Sequence, residues 1–386
     1  MGDERHAMYA DLVAQGPIHP FTHPTGMSAW MVTGYAETRA LLADPRLMRG
    51  GWRIGPYADK LPEDVARGLH TTALFSDPPE HTRLRKLVVP VFTRRKVEKL
   101  AARIQQMTDD LLAAADQTEP IDLVTTLASP LPFNVIREML GVPEADHVQF
   151  REWTNVVVSP GMYSFEDFEK GATAILEYSR ELISARRLDP QDDLLSDLVA
   201  ARDGEDRLTE DELTSMVVLL LLAGYETTVH LLSNGMRALL THRDQLELLR
   251  DRPDLMESAI EEVLRYDGPV QITLPYRVAK PIEVGNVTLS EGDLVHFALM
   301  GVNREDEHFP SGDTLDITRE ANSHLAFGHG IHYCLGAPLA RVEARIVFST
   351  LLERYPRLRL AVPAEELTRI PGWLMNGVST LPVHLH

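Results

Sequence analysis

The segment AFGHGIHYCLG, residues 326–336, holds the only cysteine of a 386-residue chain. Gly328, Gly330 and Gly336 bracket Cys334, so the backbone there can fold tightly and approach another group closely. A lone cysteine is ordinarily a small buried hydrophobe. This one stands just ahead of LGAPLARVEARI, a helix start with Pro338 in its first turn. Unpaired N–H groups and the helix dipole favour a thiolate there. A thiolate is either a nucleophile or a metal ligand. As a nucleophile it needs a positioned base, for which His329 and His332 are candidates. A zinc site built from His324, His329 and Cys334 would have a spacing that fits no common zinc pattern. Attachment of a c-type haem needs two cysteines before a histidine. The remaining option is a haem iron held by one thiolate.

A second candidate is AGYETT, residues 223–228. The apolar run from Met216 to Ala223 predicts burial, and Glu226 and Thr227 follow it directly. Burying them costs free energy unless they find partners.

The elements that must position these residues are mostly helices. YAETRALLAD (35–44), RRKVEKLAARIQQMTDDLLAAAD (94–116), NVIREML (134–140) and EDFEKGATAILEYSRELISARR (166–187) carry apolar residues at helical spacing. Thr209 with Glu212 predicts a capping box. The helical pattern then runs to about Leu240, roughly 45 Å of helix, long and apolar enough to cross the middle of the molecule. LMESAIEEVLRY (255–266) predicts another helix. After Gly268-Pro269, the stretches VQITLPYRVAK, IEVGNVTLS and DLVHFAL read as short strands. A loop from Asn303 to about Ser323 precedes the cysteine segment. A helix from about Gly336 to Arg354 and a strand-like tail follow it.

FGHGIHYCLG resembles the haem-binding loop of the cytochromes P-450: Phe327, Gly330, Cys334 and Gly336 fall on its pattern Phe-x-x-Gly-x-x-x-Cys-x-Gly. The resemblance implies that Cys334 ligates the iron of haem b (iron protoporphyrin IX) and that Phe327 lies against the sulfur. It also implies that side chains at Gly328, Gly330 and Gly336 would block the close approach of backbone and porphyrin. AGYETT is similar to the family's oxygen-binding kink. There Ala223 and Gly224 leave room for dioxygen, Thr227 steers protons to it and Glu226 feeds the relay. Glu-x-x-Arg, another family element, matches at Glu80, Glu177, Glu247, Glu262 and Glu366. For most of these a solvated i,i+3 ion pair is the expectation. Only Glu262–Arg265 has the family's placement before the PVQITLPYR segment. The family usually closes this pair with an arginine in the later loop, and Thr314 stands where that arginine is expected. The haem propionates would be held by His81 and Arg85, four apart on one helix face, and by Arg277 and His332. The implied fold is mainly α with a small β-rich part, with haem between the long central helix and the cysteine loop. The whole chain, 1–386, is expected to form a single domain of the soluble bacterial type.

The formal net charge of −19 argues against a general nucleic-acid binder. The single cysteine excludes an intrachain disulfide. MGDERHAMYADL has no apolar signal-peptide core, so a cytoplasmic protein without membrane insertion is expected. The resemblance implies a monooxygenase drawing electrons from NAD(P)H through ferredoxin reductase and ferredoxin. Arg94, Arg95, Lys96, Arg341 and Arg345 are candidates for docking the ferredoxin. Residues 53–75, VVLLLLAG of the long helix, Val270–Leu274 and LMNGV (374–378) are expected to touch an apolar small molecule. The sequence is similar to tailoring hydroxylases of polyketide and macrolide pathways. Two rivals remain: a peroxide-using or phenol-coupling enzyme of the same fold, and a non-catalytic haem or zinc protein.

Overall fold

The capping box expected at Thr209 is present. The Glu212 amide donates to Thr209 Oγ1 at 3.2 Å, and the Thr209 amide donates to Glu212 Oε2 at 2.7 Å. The helix it starts, Glu210–Ala223, does not run through to residue 240 as one piece. It stops at Gly224-Tyr225, and a second helix, Glu226–Thr241, begins directly after. Glycine is the weakest helix former after proline. Here it also meets a packing demand, because a Cβ at Gly224 would lie 2.7 Å from Ile136 Cδ1. Glu210–Thr241 is the one stretch among the described residues long and apolar enough to cross a membrane, and most of it is buried inside the protein, as for a core helix.

The computed structural model describes residues 2–22, 26–50, 57, 60–92, 94–115, 120–143, 146–158, 163–201 and 208–386. The chain divides into two compact units. One comprises residues 1–48, 97–132 and 227–386, the other residues 49–96 and 133–226.

The first unit contains a five-stranded sheet in the order Ile18–Thr22, Ser28–Val32, Leu294–Phe297, Tyr276–Val278, Leu47–Met48. All its pairings are antiparallel except that of Ser28–Val32 with Leu294–Phe297, which are far apart in the chain and pair in parallel. Val32, Val278, Phe297 and Phe309 bury completely against this sheet. IEVGNVTLS forms a hairpin, Ile282–Val284 with Val287–Leu289. VQITLPYRVAK yields only the strand Tyr276–Val278, because Val270–Pro275 makes other contacts, described below. The predicted helices at 255–266 and 336–354 are Met256–Asp267 and Ala337–Arg354. The N-terminal helix Gly2–Gln15 and the Ile18–Val32 hairpin carried no strong sequence pattern.

The second unit is helical. Phe165–Leu188 begins with Ser164 as N-cap, accepting from the Asp167 amide at 3.1 Å. Glu80–Val88 and Glu210–Ala223 are joined through Arg83, which bonds both Glu80 and Glu212.

Candidate active site

The cysteine loop is shaped by its glycines, each for a different reason. Gly328 and Gly330 have φ of +73° and +71°, a conformation that favours glycine. A Cβ at Gly330 would lie 2.4 Å from the Leu42 carbonyl oxygen, whereas one at Gly328 would meet nothing. Gly336 has φ of −77°, and its Cβ would stand 3.8 Å from Cys334 Sγ, an ordinary contact. Positive φ therefore demands glycine at 328, φ and crowding together demand it at 330, and neither does so at 336. The Gly328 amide donates to Leu325 at 2.8 Å, and the Cys334 amide donates to the Phe327 carbonyl at 3.0 Å, closing the loop.

Cys334 is exposed rather than a buried hydrophobe. It lies three residues before an 18-residue helix with proline in its first turn, where the dipole favours a thiolate. Among the described residues no three His, Cys, Asp or Glu side chains come together to hold a metal. His324 bonds Glu261 at 3.1 Å instead of joining a zinc set. A lone thiolate donor fits a metal that arrives with its other ligands already attached, as haem iron does.

His332 sits in this loop, its ring edge-on to Tyr276 with centroids 6.1 Å apart. Arg277, on the strand beside it, is exposed. In the second unit, His81 is buried and Arg85 half-buried on the helix Glu80–Val88, while Arg83 leaves on another face toward Glu212.

The helix break changes the setting of AGYETT. Tyr225 is buried and meets Phe133 edge-on at 5.8 Å. Ala223 is exposed, and Glu226 and Thr227 are half-buried. Glu226 and Thr227 therefore stand at a helix start and are only partly buried, short of the full burial expected.

Glu262 and Arg265 are both fully buried and form a two-point pair at 2.8 and 2.7 Å. Thr314 does take part, but through its backbone: its carbonyl accepts from Arg265 Nη2 at 2.9 Å. The second cation is Arg319, whose Nε lies 3.3 Å from Glu262 Oε2. Sequence reasoning placed the missing arginine five residues too early. The available signal was that Arg319 is the only arginine between Arg304 and Cys334. Asn322 Nδ2 and the Asp316 amide complete the carboxylate at 3.0 and 2.9 Å. Of the other Glu-x-x-Arg matches, Glu247–Arg250 is an ion pair with its glutamate exposed, while Arg369 turns to Asp267 rather than Glu366.

Two segments expected to touch substrate are stapled together. Val270 bridges Met375, the Gln271 amide donates to Leu374 at 2.9 Å, and the Asn376 amide donates to Pro269 at 2.8 Å. Asn376, fully buried, donates to Asp267 Oδ1 at 2.8 Å and to the Gly268 carbonyl at 2.9 Å. Burial alone would raise the Asp267 carboxyl, but Arg237, Arg369 and His6 hold it well below its ordinary range. Gly377 packs under His230; a Cβ there would lie 2.1 Å from the imidazole Nδ1. Residues 53–56, 58 and 59 of the other expected substrate segment lie outside the described residues, as do the side chains of Arg94, Arg95 and Lys96. Arg341 and Arg345 are held by Glu261 and Glu98.

A family model described as Cytochrome P450 matches residues 249–370. The chain is 43% identical to cytochrome P450 107B1 of Saccharopolyspora erythraea, over 98% of this chain and 95% of the relative. It is 45% identical to the cytochrome P450 monooxygenase PikC of Streptomyces venezuelae, over 97% of this chain and 89% of that protein. Among solved structures it is similar to the tirandamycin C-bound P450 monooxygenase TamI, with a TM-score of 0.90 and 42% identity over 99% and 97% of the two chains.

Proposed function

The chain belongs to the cytochrome P450 family, and from that premise we propose that this haem-dependent monooxygenase oxidises an apolar polyketide or macrolide. The single observation that carries the reading is Cys334 on a loop closed by its own amide to the Phe327 carbonyl, three residues before a proline-started helix. Relatives named for their substrates point to the class: 6-deoxyerythronolide B hydroxylase of Saccharopolyspora erythraea, at 38% identity over 98% of this chain and 95% of that protein, and mycinamicin IV hydroxylase/epoxidase of Micromonospora griseorubida, at 39% over 97% and 94%. The half-buried Val270, Leu274, Leu374 and Met375 suit an apolar molecule.

Bound haem supplies the activation of dioxygen and the transfer of one oxygen atom to substrate. The protein's own residues bind, orient and deliver protons. With haem bound, Cys334 would hold the iron as thiolate, and the helix dipole behind it would stabilise the negative sulfur. Arg277, His332, Arg85 and His81 are the residues that would take the propionates, by charge-assisted hydrogen bonds. Thr227 holds a hydroxyl where protons must pass, and Glu226, one residue before it, resupplies them. Apolar side chains keep water from the reacting carbon. Electrons come from NAD(P)H through a ferredoxin and its reductase, with the whole chain acting as one catalytic domain in the cytoplasm. Insertion as hydroxyl or epoxide is the expected outcome.

Two measurements test this. The reduced, carbon-monoxide-treated protein should show the red-shifted band of thiolate-ligated haem, and Cys334→Ser should lose it. A mutant retaining the band would overturn the ligand assignment. A macrolactone aglycone added to the resting enzyme should shift the Soret band, and its turnover with ferredoxin and reductase should yield a product heavier by one oxygen atom.

A further inference from the structure

A side-chain cluster centred on Glu261 and Arg341 meets the cysteine loop. Glu261 precedes the buried Glu262 on the helix Met256–Asp267, so it leaves that helix on a neighbouring face. Arg341, on the helix after the cysteine, lays its guanidinium fork on the Glu261 carboxylate: Nε to Oε1 at 2.6 Å and Nη2 to Oε2 at 2.7 Å. The same guanidinium lies over the Phe327 ring, 4.6 Å from its centroid. Its Nη1 reaches the Tyr333 hydroxyl at 3.4 Å. The Phe327 and Tyr333 rings meet edge-on at 6.3 Å.

His324 closes the cluster. Its Nδ1 accepts from the Ala326 amide at 3.2 Å. In the neutral ring the proton is therefore on Nε2, which donates to Glu261 Oε2 at 3.1 Å. Burial would raise the Glu261 carboxyl, but the hydrogen bonds from Arg341 and His324 outweigh it and hold the group at about 2.

These contacts converge on the residues flanking Cys334. A bidentate fork fixes the guanidinium plane against rotation, which a single contact cannot do. A plane so fixed gives the Phe327 ring a rigid support on one face. Phe327 in turn accepts the Cys334 amide at 3.0 Å. Because Glu261 neutralises Arg341, this arginine contributes little net charge to a docking face.

We propose that Arg341, clamped by Glu261, is a positioning residue for the thiolate: it braces the Phe327–Tyr333 ring pair and so keeps Cys334 aligned for axial ligation. The proposal rests on Cys334 being the ligand. It removes Arg341 from the set of cations that dock an electron donor and gives it a mechanical role within the loop.

The test uses the haem-loaded, reduced, carbon-monoxide-bound protein in mild urea, comparing wild type with Arg341→Gln, Arg341→Lys, Glu261→Gln and Arg345→Gln. The readouts are the half-life of the thiolate band and, in parallel, the unfolding midpoint by far-UV circular dichroism. Arg341→Gln should shorten the half-life roughly fivefold, which corresponds to ~1 kcal/mol of lost stacking and hydrogen bonding. Glu261→Gln should act in the same direction. Arg341→Lys should fail to rescue, because an ammonium neither forks onto a carboxylate nor stacks flat on a ring. Arg345, on the same helix and paired with Glu98 at 2.9 Å, is the control; Arg345→Gln should leave the half-life unchanged. The unfolding midpoint should stay near wild type throughout. The clamp is refuted by an unchanged half-life in Arg341→Gln, by full rescue with lysine, by equal loss in Arg345→Gln, or by band loss that only tracks global unfolding. Should Arg341→Gln not fold, Glu261→Gln and Arg341→Lys decide by the same criteria. A wild-type protein without the thiolate band would refute the ligand assignment itself, and the clamp with it.

Discussion

Replacing Glu262 by alanine removes a carboxylate that receives Arg265 at 2.8 and 2.7 Å, the Asp316 amide at 2.9 Å, Asn322 at 3.0 Å and Arg319 at 3.3 Å. Arg265 would keep three carbonyl acceptors, on Asn303, Gly312 and Thr314. It would lose its two-point counter-charge in a site where its side chain is 0% exposed. Stranding a buried cation in this way costs about 3–5 kcal/mol, about a fifth or more of the roughly 5–15 kcal/mol that holds a typical domain together. Arg319→Ala is the milder cut. Its contact to Glu262 is long, and Arg265 continues to neutralise the carboxylate. The Pro310 carbonyl, which Arg319 bonds at 3.0 Å, can turn to solvent. A loss of ~1 kcal/mol is expected. Urea titrations of the haem-loaded protein, followed by far-UV circular dichroism and Soret absorbance, should therefore order the variants wild type, Arg319→Ala, Glu262→Ala. The gap between the two mutants should be at least twice that between Arg319→Ala and wild type. If Glu262→Ala unfolds with wild type, or if Arg319→Ala costs as much, the hierarchy drawn from these distances is wrong.

Thr227→Ala should leave substrate binding and first reduction intact. Product per NAD(P)H should fall while hydrogen peroxide rises, and unchanged coupling would defeat the proton-delivery role. Arg85→Ala should speed transfer of haem to an apo-globin acceptor. Arg83→Ala, which strands the buried Glu212, should lower the melting temperature without that effect; equal haem loss would contradict the assignment. Glu343, buried on the helix after the cysteine, has its carboxyl pushed by burial up to about 8 from an ordinary 4.5. Because the raised value favours the neutral acid, folding carries no penalty below pH 4.5 and a growing one up to pH 8, about 3 kcal/mol at pH 7. Glu343→Gln should accordingly stabilise at pH 7 and change little at pH 4.5, as read from melting temperatures at the two values.

What was readable in the sequence was local. The capping box at Thr209 involves two residues three apart, and a turn of helix is enough to close it. The glycines around Cys334 permit backbone conformations closed to other residues, and Gly328 and Gly330 use that freedom at positive φ. The lone cysteine ahead of a proline-started helix announced its chemistry for the same reason. What tertiary structure decided involves groups far apart in the chain, whose meeting depends on packing. The second cation at Glu262 is Arg319, not a residue at 314, because the intervening loop coils until its carbonyls face Arg265. The helix break at Gly224 coincides with a side chain, Ile136, from a distant segment. Arg341 read as a surface cation, and only the crossing of its helix with Met256–Asp267 brings Glu261 to it and turns its charge inward onto Phe327. Sequence spacing determines which groups share a turn or a helix face; which faces meet, and so which charges are neutralised, is settled by the packing of whole elements.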